Sequence, residues 1–115
     1  MPHKYKVIVA GNHDIGLDFE RYGALNKQWA TKYTKEDYNA NVKIMSKYTY
    51  LQCSAVTILG YKIYGFPHVT KLKEWAFNVE HKKMEEICGL IPDDTDILLC
   101  HTPPYKFADL CVDGF

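Results

Sequence analysis

Two polar segments of the sequence carry side chains that could bind a metal ion and a phosphate. Asn12, His13 and Asp14 follow Gly11, and His101 lies near the other end of the chain. An asparagine offers a hard, neutral oxygen ligand, and an imidazole suits Zn, Fe and Mn. These residue types therefore indicate a divalent metal site, provided that folding brings Asn12 and His101 together.

The two residues after Asn12 are candidates for catalysis. Neighbouring side chains of an extended segment diverge, so His13 is not expected to share a metal with Asn12. It can instead face a substrate and donate a proton to the leaving oxygen. Asp14 follows directly, and a carboxylate beside an imidazole can hold one tautomer and raise its pKa. His13 and Asp14 are therefore the candidate catalytic residues, and Asn12 and His101 the candidate metal ligands.

Each candidate also has a purely structural interpretation. Gly-Asn-His-Asp can form a turn, since Gly and Asn tolerate positive φ and Asp bonds to nearby amides, and the motif alone gives both interpretations equal weight. An isolated His101 would more often be structural than a ligand. Cys100 precedes it, but successive strand residues point to opposite faces, which argues against a thiol and base pair.

The remaining polar side chains receive an inert or an open interpretation. The acidic run at 93–96 precedes a strand, where polar turn residues are expected, so we interpret it as a solvated turn. His3 and His81 are interpreted as exposed and inert. His68 follows Phe66 and Pro67 and either lines a cleft or closes a loop.

The spacing of apolar residues predicts the elements that position the two polar segments. Strands are predicted at 5–10, 55–59, 62–66 and 97–100, the middle two forming a hairpin around Gly60-Tyr61, with a loop at 67–78. Helices are predicted at 18–33, 34–47 and 79–88, with caps at Asp18 and Thr34. Both polar segments follow buried strands directly. Functional loops gather at such strand ends, so the segments could meet in one cleft.

Composition excludes several classes of protein. The 115 residues are 47% apolar and 24% charged, which allows one core and a single domain at most. Fourteen basic and fourteen acidic residues, with no long run of one sign, argue against nucleic acid or an anionic membrane as partner. No apolar run suits a signal peptide or a membrane span, so we expect a soluble, cytoplasmic protein.

Cysteine usage agrees with a reducing compartment. The four cysteines are too far apart for a C-x-x-C zinc knuckle, and two of them lie in apolar runs that suit a buried thiol. They are Cys53, Cys88, Cys100 and Cys111.

Taken together, these segments resemble the calcineurin-like metallophosphoesterases, and within them the metallophosphoesterase-domain-containing group of small cyclic nucleotide phosphodiesterases. Residues 5–14 resemble the group's strand and G-N-H-[DE] block. Residues 50–52, 60–65, 75–78 and 91–104 resemble its later blocks. The resemblance implies that Asn12 and His101 bind one of two divalent ions (Mn, Fe or Zn). It also implies that His13 is the catalytic acid and that Asp14 supports it.

The resemblance further implies a fold and a reaction. The fold is α/β, with residues 1–115 forming one incomplete domain of a four-layer α/β/β/α sandwich that has a mixed sheet and flanking helices. The reaction is hydrolysis of a phosphate ester, with phosphodiesters and cyclic nucleotides as candidates, by a hydroxide that two metal ions activate. The alternative is a non-catalytic module of the same fold that binds a protein partner, or itself, through exposed strand edges.

The sequence departs from the family pattern at several points. Thr102 stands where the family has a glycine beside the metal ligand, which narrows the approach of a phosphate, and His68 replaces an aromatic residue. The family's D-x-H and G-D blocks upstream, and its G-H-x-H block downstream, are not among these residues. Because these blocks are missing, we expect a truncated or fragmentary chain. We also expect it to be nearly inactive alone, since two neutral ligands cannot offset the charge of two dications.

Overall fold

The computed structural model describes residues 1–71, 73–104, 106–107 and 109. Its strands are β1 (Val7–Val9), β2 (Thr49–Leu51), β3 (Ser54–Ile58), β4 (Tyr61–Phe66), β5 (Val69–Thr70), β6 (Asn78–Val79) and β7 (Ile97–Cys100). Its helices are α1 (Tyr22–Trp29), α2 (Lys35–Met45) and α3 (His81–Cys88), and two 3₁₀ turns, Ile15–Leu17 and Phe19–Arg21, precede α1.

The strands form three small sheets that contain both parallel and antiparallel pairs. β1 pairs with β2 and β5 with β6, both in parallel. In the third sheet, of order β3-β4-β7, β4 is antiparallel to β3 and parallel to β7. The predicted α/β class, with a mixed sheet and helices, is therefore confirmed. Among the helices of the described ranges, none has the length and apolar character needed to cross a bilayer.

Two buried apolar clusters support these elements. The first joins the end of β1, the 3₁₀ turn Ile15–Leu17, α1 and the segment before β6, and its buried members are Ala10, Leu17, Leu25, Ala76 and Phe77. The second joins β4 to α3 through Tyr64, Phe66 and Ile87. Burying one large apolar side chain contributes about 1.5–3 kcal/mol to stability. Because Ala10 belongs to the first cluster, this packing holds in place the residue that immediately precedes Gly11.

The first predicted helix differs most from the structure. α1 ends at Trp29, since Ala30 adopts a left-handed φ of 51°, so the predicted extension to Tyr33 is wrong. Asp18 does not cap a helix with its side chain. Its buried carboxylate instead accepts a hydrogen bond of 2.7 Å from the backbone N–H of Phe77. A contact across 59 residues replaces the predicted local one.

The second helix forms as predicted. The Thr34 hydroxyl accepts from the Asp37 backbone N–H, and the Asp37 carboxylate accepts from the Thr34 backbone N–H, which completes a capping box. α2 buries no residue completely. Its start is therefore determined by local hydrogen bonds more than by packing.

The predicted hairpin forms one residue earlier than expected. Ile58 pairs with Tyr61, so the turn residues are Leu59 and Gly60 rather than Gly60 and Tyr61. Both have positive φ, 52° and 83°. This is the backbone of a type I′ turn, which matches the twist of the paired strands. The predicted loop at 67–78 also contains β5 and ends in β6.

Burial is less complete than predicted at the end of the chain. The spacing of apolar residues in α3 predicts that Ile87 and Cys88 both face inward, but only Ile87 is buried and Cys88 is exposed. The predicted strand at 97–100 forms as β7, yet its first two side chains, Ile97 and Leu98, are 47% and 42% exposed. The expectation of a buried strand is wrong there, because β7 is the outer strand of its sheet. Cys53, Cys88 and Cys100 are free thiols, and Cys111 lies outside the described residues.

The buried carboxyl of Asp18 predicts a pH dependence of stability. Desolvation by burial raises its pKa above the ordinary value of 3.8, although Phe77 and Arg21 act in the opposite direction. The folded state then binds more protons than the unfolded state, so the free energy of unfolding falls as pH rises through the window between the two pKa values. Asp18→Asn still offers an oxygen to Phe77, and we expect this fall to be absent in it.

Urea unfolding of both proteins from about pH 3 to about pH 7 measures this difference. Parallel pH dependences in Asp18→Asn and the unsubstituted chain would contradict the assignment.

The hairpin turn predicts a stabilising substitution. Leu59 is 78% exposed and adopts a left-handed backbone conformation. This conformation costs less free energy for asparagine than for leucine. We expect Leu59→Asn to raise the free energy of unfolding by about 0.5–1 kcal/mol. Leu90→Asn is the matched control, because Leu90 is 70% exposed and has negative φ, and its effect should stay within about 0.5 kcal/mol. Equal effects at both positions would refute the turn argument.

Candidate active site

Asn12 and His101, predicted as a pair from opposite ends of the chain, are in contact. The Nε2 atom of His101 lies 2.8 Å from the Oδ1 atom of Asn12, across 89 residues. His101 is exposed and Asn12 is half-buried, so the pair faces solvent. In the tautomer with its proton on Nε2, the imidazole donates a hydrogen bond to the amide oxygen. The expected meeting of the two polar segments is therefore what the fold produces.

Close packing between two sheets brings these residues together. Gly65 in β4 lies so close to Leu51 at the end of β2 that a Cβ atom on Gly65 would overlap the Leu51 side chain. This approach sets the β1-β2 pair beside β4 and its neighbour β7. The backbone N–H of His101 also donates to the Phe66 carbonyl at 3.4 Å, which continues the β4-β7 ladder by one residue.

Gly11 supplies the space that the His101 ring occupies. A Cβ atom at Gly11 would lie 2.5 Å from both Cε1 and Nδ1 of that ring, far inside van der Waals contact. Neither Gly11 nor Asn12 is among the positive-φ residues of the described chain. The glycine is therefore required for close approach, whereas the sequence had suggested backbone freedom.

Asp14 closes the turn of the motif. Its carboxylate accepts a 2.7 Å hydrogen bond from the Gly11 N–H, and its own N–H donates to the Gly11 carbonyl at 3.0 Å. Within the described part of the chain, no hydrogen bond joins Asp14 to the His13 ring. The carboxylate thus acts on the backbone that carries Asn12 and His13, rather than on the imidazole as expected. The motif is both a turn and a candidate site.

His13 is exposed and stacks on Trp75. The ring centroids are 4.3 Å apart and the planes are inclined by 13°. Trp75 in turn lies 4.0 Å from Trp29 of α1, whose indole N–H donates to the Glu74 carbonyl at 2.7 Å. The sequence placed Trp75 in a loop without a role. The available signal was the resemblance of residues 75–78 to a family block, but this resemblance did not indicate a contact with His13.

The segment that carries Trp75 is tied to the motif and to α1. The Ala76 N–H donates to the Asn12 carbonyl at 3.0 Å. Arg21 donates to the Asn78 carbonyl at 2.8 Å and pairs with the Glu74 carboxylate at 2.5 Å. These bonds anchor the chain on both sides of Trp75, and the His13 ring stacks on the indole that this segment carries.

His68 does not join the Asn12 and His101 pair. Its Nδ1 atom lies 3.4 Å from the Cys53 sulfur, and its ring packs edge-on against Phe66 and Phe77. Burial lowers the pKa of His68 and raises that of Cys53, so both groups are held neutral. This neutral pair closes a loop and is unsuited to nucleophilic catalysis, which needs a thiolate.

The acidic run at 93–96 is a surface turn, as interpreted from the sequence. Asp94 pairs with the Lys62 ammonium, and Asp96 accepts from the Lys62 backbone N–H at 2.7 Å. Lys62 lowers the pKa of Asp94 through this contact. His81 is exposed and lies beside Glu85, and His3 is exposed.

When its proton is on Nδ1, His101 offers the lone pair of Nε2, and this atom and Asn12 Oδ1 then fit two adjacent positions around one divalent ion. Oxygen and nitrogen ligands at right angles on such an ion lie about 3 Å apart, because each bond is about 2.1 Å long. The observed 2.8 Å agrees with this spacing. Among the residues that the structure describes, no group of three or more His, Cys, Asp or Glu side chains is placed to hold a metal.

The fold and this pair agree with a known class of hydrolase. The family model of the calcineurin-like phosphoesterases matches residues 1–115, and the chain belongs to that family. Its members are phosphoesterase-type hydrolases with an α/β sandwich fold. The resemblance inferred from the sequence is thereby confirmed.

Curated relatives narrow the comparison. Metallophosphoesterase domain-containing protein 1 of Homo sapiens and that of Mus musculus are each 35% identical to the chain over 116 residues, covering 95% of this chain and 36% of the relative. A UPF0046 protein of Caenorhabditis elegans is 34% identical over 110 residues, covering 94% and 36%. The chain therefore spans about a third of the length of the curated relatives it matches.

Gly11→Ala tests the packing of His101. We expect the added methyl group to move the His101 ring away from Asn12, because the ring occupies the space it needs. Side-chain NMR resonances of both residues, and the nuclear Overhauser effects between them, measure the change. Gly23→Ala is the matched control, since nothing lies within 4 Å of a Cβ there.

In the control, the contact between Asn12 and His101 should persist, and helix propensity should add about 0.5–1 kcal/mol of stability. An intact contact in Gly11→Ala would show that the ring can be accommodated elsewhere.

Proposed function

We propose that residues 1–115 form a section of one phosphoesterase domain and contribute part of its metal-dependent active site. The reaction is hydrolysis of a small phosphate ester, with phosphodiesters and cyclic nucleotides as candidate substrates. One observation carries the proposal, the 2.8 Å approach of Asn12 Oδ1 and His101 Nε2 at the ends of β1 and β7. Membership of the phosphoesterase family supports the same reaction.

Asn12 and His101 are proposed to hold one of two divalent ions, Mn, Fe or Zn. When bound, such ions lower the pKa of the attacking water and neutralise charge on the phosphate. Both protein ligands are neutral, so the site requires carboxylates in addition to this pair. The proposal therefore assigns to this chain a necessary part of the site.

His13 is proposed to donate an imidazole proton to the oxygen of the leaving group. A ring on the surface beside the metal pair can reach a substrate that the ions hold. Stacking on Trp75 restricts the orientation of the ring, which favours proton transfer in one direction. Asp14 contributes by closing the turn between Gly11 and the two functional side chains.

The proposed setting is the cytoplasm. The three cysteines of the described residues are free thiols, which agrees with a reducing compartment. A cytoplasmic phosphate ester is then the substrate class that the site would meet.

A second candidate function is a non-catalytic module that binds a protein or a second copy of the chain. The exposed apolar side chains of Ile97 and Leu98 on the outer strand β7 favour it. An outer strand with apolar side chains can extend its sheet with another chain. This candidate needs no metal.

Manganese binding distinguishes the two functions. We expect Mn²⁺, which is paramagnetic, to bind weakly to residues 1–115, because the additional carboxylates are missing, and to broaden the side-chain NMR signals of Asn12 and His101 before those of other residues. Asn12→Ala and His101→Ala should each weaken this binding by at least about tenfold, because each removes a ligand. His81→Ala is the control, since His81 is an exposed histidine on α3 and should leave binding unchanged.

Hydrolysis of bis-para-nitrophenyl phosphate completes the experiment. We expect weak manganese binding and little turnover by residues 1–115 alone. Turnover that His13→Ala abolishes would overturn the expected inactivity and support the role of His13. Failure to bind manganese, together with concentration-dependent association in sedimentation, would favour the non-catalytic module.

A further inference from the structure

A cleft of about 300 Å³ lies directly beside His13. His13 and Asp14 form one end of it, and the 3₁₀ turn Ile15–Leu17 faces α2 across it. The apolar side chains of its walls are Ile15, Leu17, Ile44 and Met45. Tyr33 and Asn41 add polar groups. None of the functions assigned above to Asn12, His101 or the His13 stack requires this cleft.

Hydrogen bonds fix the shape of the cleft. The Gly16 carbonyl accepts from the Asn41 side-chain amide at 3.0 Å and from the Tyr22 hydroxyl at 2.6 Å. A Cβ atom at Gly16 would lie 2.6 Å from the Asn41 nitrogen, so the glycine allows α2 to approach. The Tyr33 ring packs on Tyr22, with centroids 5.5 Å apart. The walls are thus formed before any ligand enters.

Two polar atoms of the cleft are open to a ligand. Of the hydrogen bonds in the described ranges, none uses the Asn41 Oδ1 atom or the Tyr33 hydroxyl. One is an acceptor and the other is both donor and acceptor. No Lys or Arg lines the cleft, and the Asp14 carboxyl group is at one end. The lining therefore suits a neutral organic group with a polar edge and is unfavourable for a phosphate.

We propose that this cleft binds the leaving group of the ester, and that it selects a flat aromatic group of one or two rings over a short alkyl alcohol. An apolar cavity of about 150 Å³ binds benzene, so 300 Å³ has room for a second ring. A methyl group would leave most of the apolar wall in contact with water. The inference rests on the proposed function, because His13, the proposed donor to the leaving oxygen, also lines the cleft.

Matched phosphate esters test the selection. The probes are alpha-naphthyl, phenyl and methyl phosphate with inorganic phosphate as reference, and the readout is the shift of the Gly16 and Asn41 backbone amide NMR signals. We expect saturable shifts with the two aryl esters and none with methyl or inorganic phosphate. Equal shifts of these amides by aryl and methyl esters would overturn the proposal.

Filling the cleft provides the matched variants. Ile44 is 55% exposed, so Ile44→Trp can be accommodated while its larger ring occupies the cleft. We expect at least about tenfold weaker binding of alpha-naphthyl phosphate. Lys43→Trp places the same side chain on the exposed neighbouring position and should leave binding unchanged. Tyr33→Phe removes only the hydroxyl and should weaken binding a few-fold. Unchanged affinity in Ile44→Trp would refute the assignment.

Alpha-naphthol, which has no phosphate, separates this proposal from the metal site. One outcome is that alpha-naphthol shifts the amide signals of Gly16 and Asn41 and binds more weakly to Ile44→Trp. In that case the cleft is an aromatic site whether or not manganese binds at Asn12 and His101. If manganese binds there but neither naphthol nor the aryl esters reach the cleft, the proposed function stands and the leaving-group site is refuted.

Discussion

The packing of the His101 ring against the bare backbone of Gly11 is the contact on which the candidate site depends. It requires the ends of β1 and β7 to be closer than any side chain at position 11 would permit. A second close approach of this kind occurs at Gly65, which allows β4 to approach Leu51. Two missing side chains therefore let two sheets approach until an amide oxygen and an imidazole nitrogen touch.

The segment that carries Trp75 also restricts the movement of the motif at 11–14. The segment between Glu74 and Asn78 bonds to the Asn12 carbonyl, to Asp18 and to Arg21. Because Trp75 lies within that segment, the stack on His13 is held by bonds that involve neither catalytic candidate. For the proposed reaction, a geometry that is set before a substrate binds would lower the entropic cost of reaching the reactive arrangement.

Local patterns predicted well those features that local interactions determine. The Thr34 capping box and the hairpin of β3 and β4 both formed, because their hydrogen bonds join residues close in sequence. Predictions failed where a distant partner decided the outcome. Asp18 was expected to cap a helix and instead binds Phe77, and the β7 side chains were expected to be buried although the strand lies at a sheet edge.

By itself, the sequence determined which chemistry the chain can offer: an amide, two imidazoles and a carboxylate placed after strand ends, within a recognisable family pattern. Tertiary structure alone decided that Asn12 and His101 meet, that Asp14 bonds to the Gly11 backbone, and that His13 stacks on Trp75. The physical reason is distance along the chain. Residue types and local periodicity specify elements, whereas contacts across many residues depend on how closely two sheets pack, and that depends on every side chain between them.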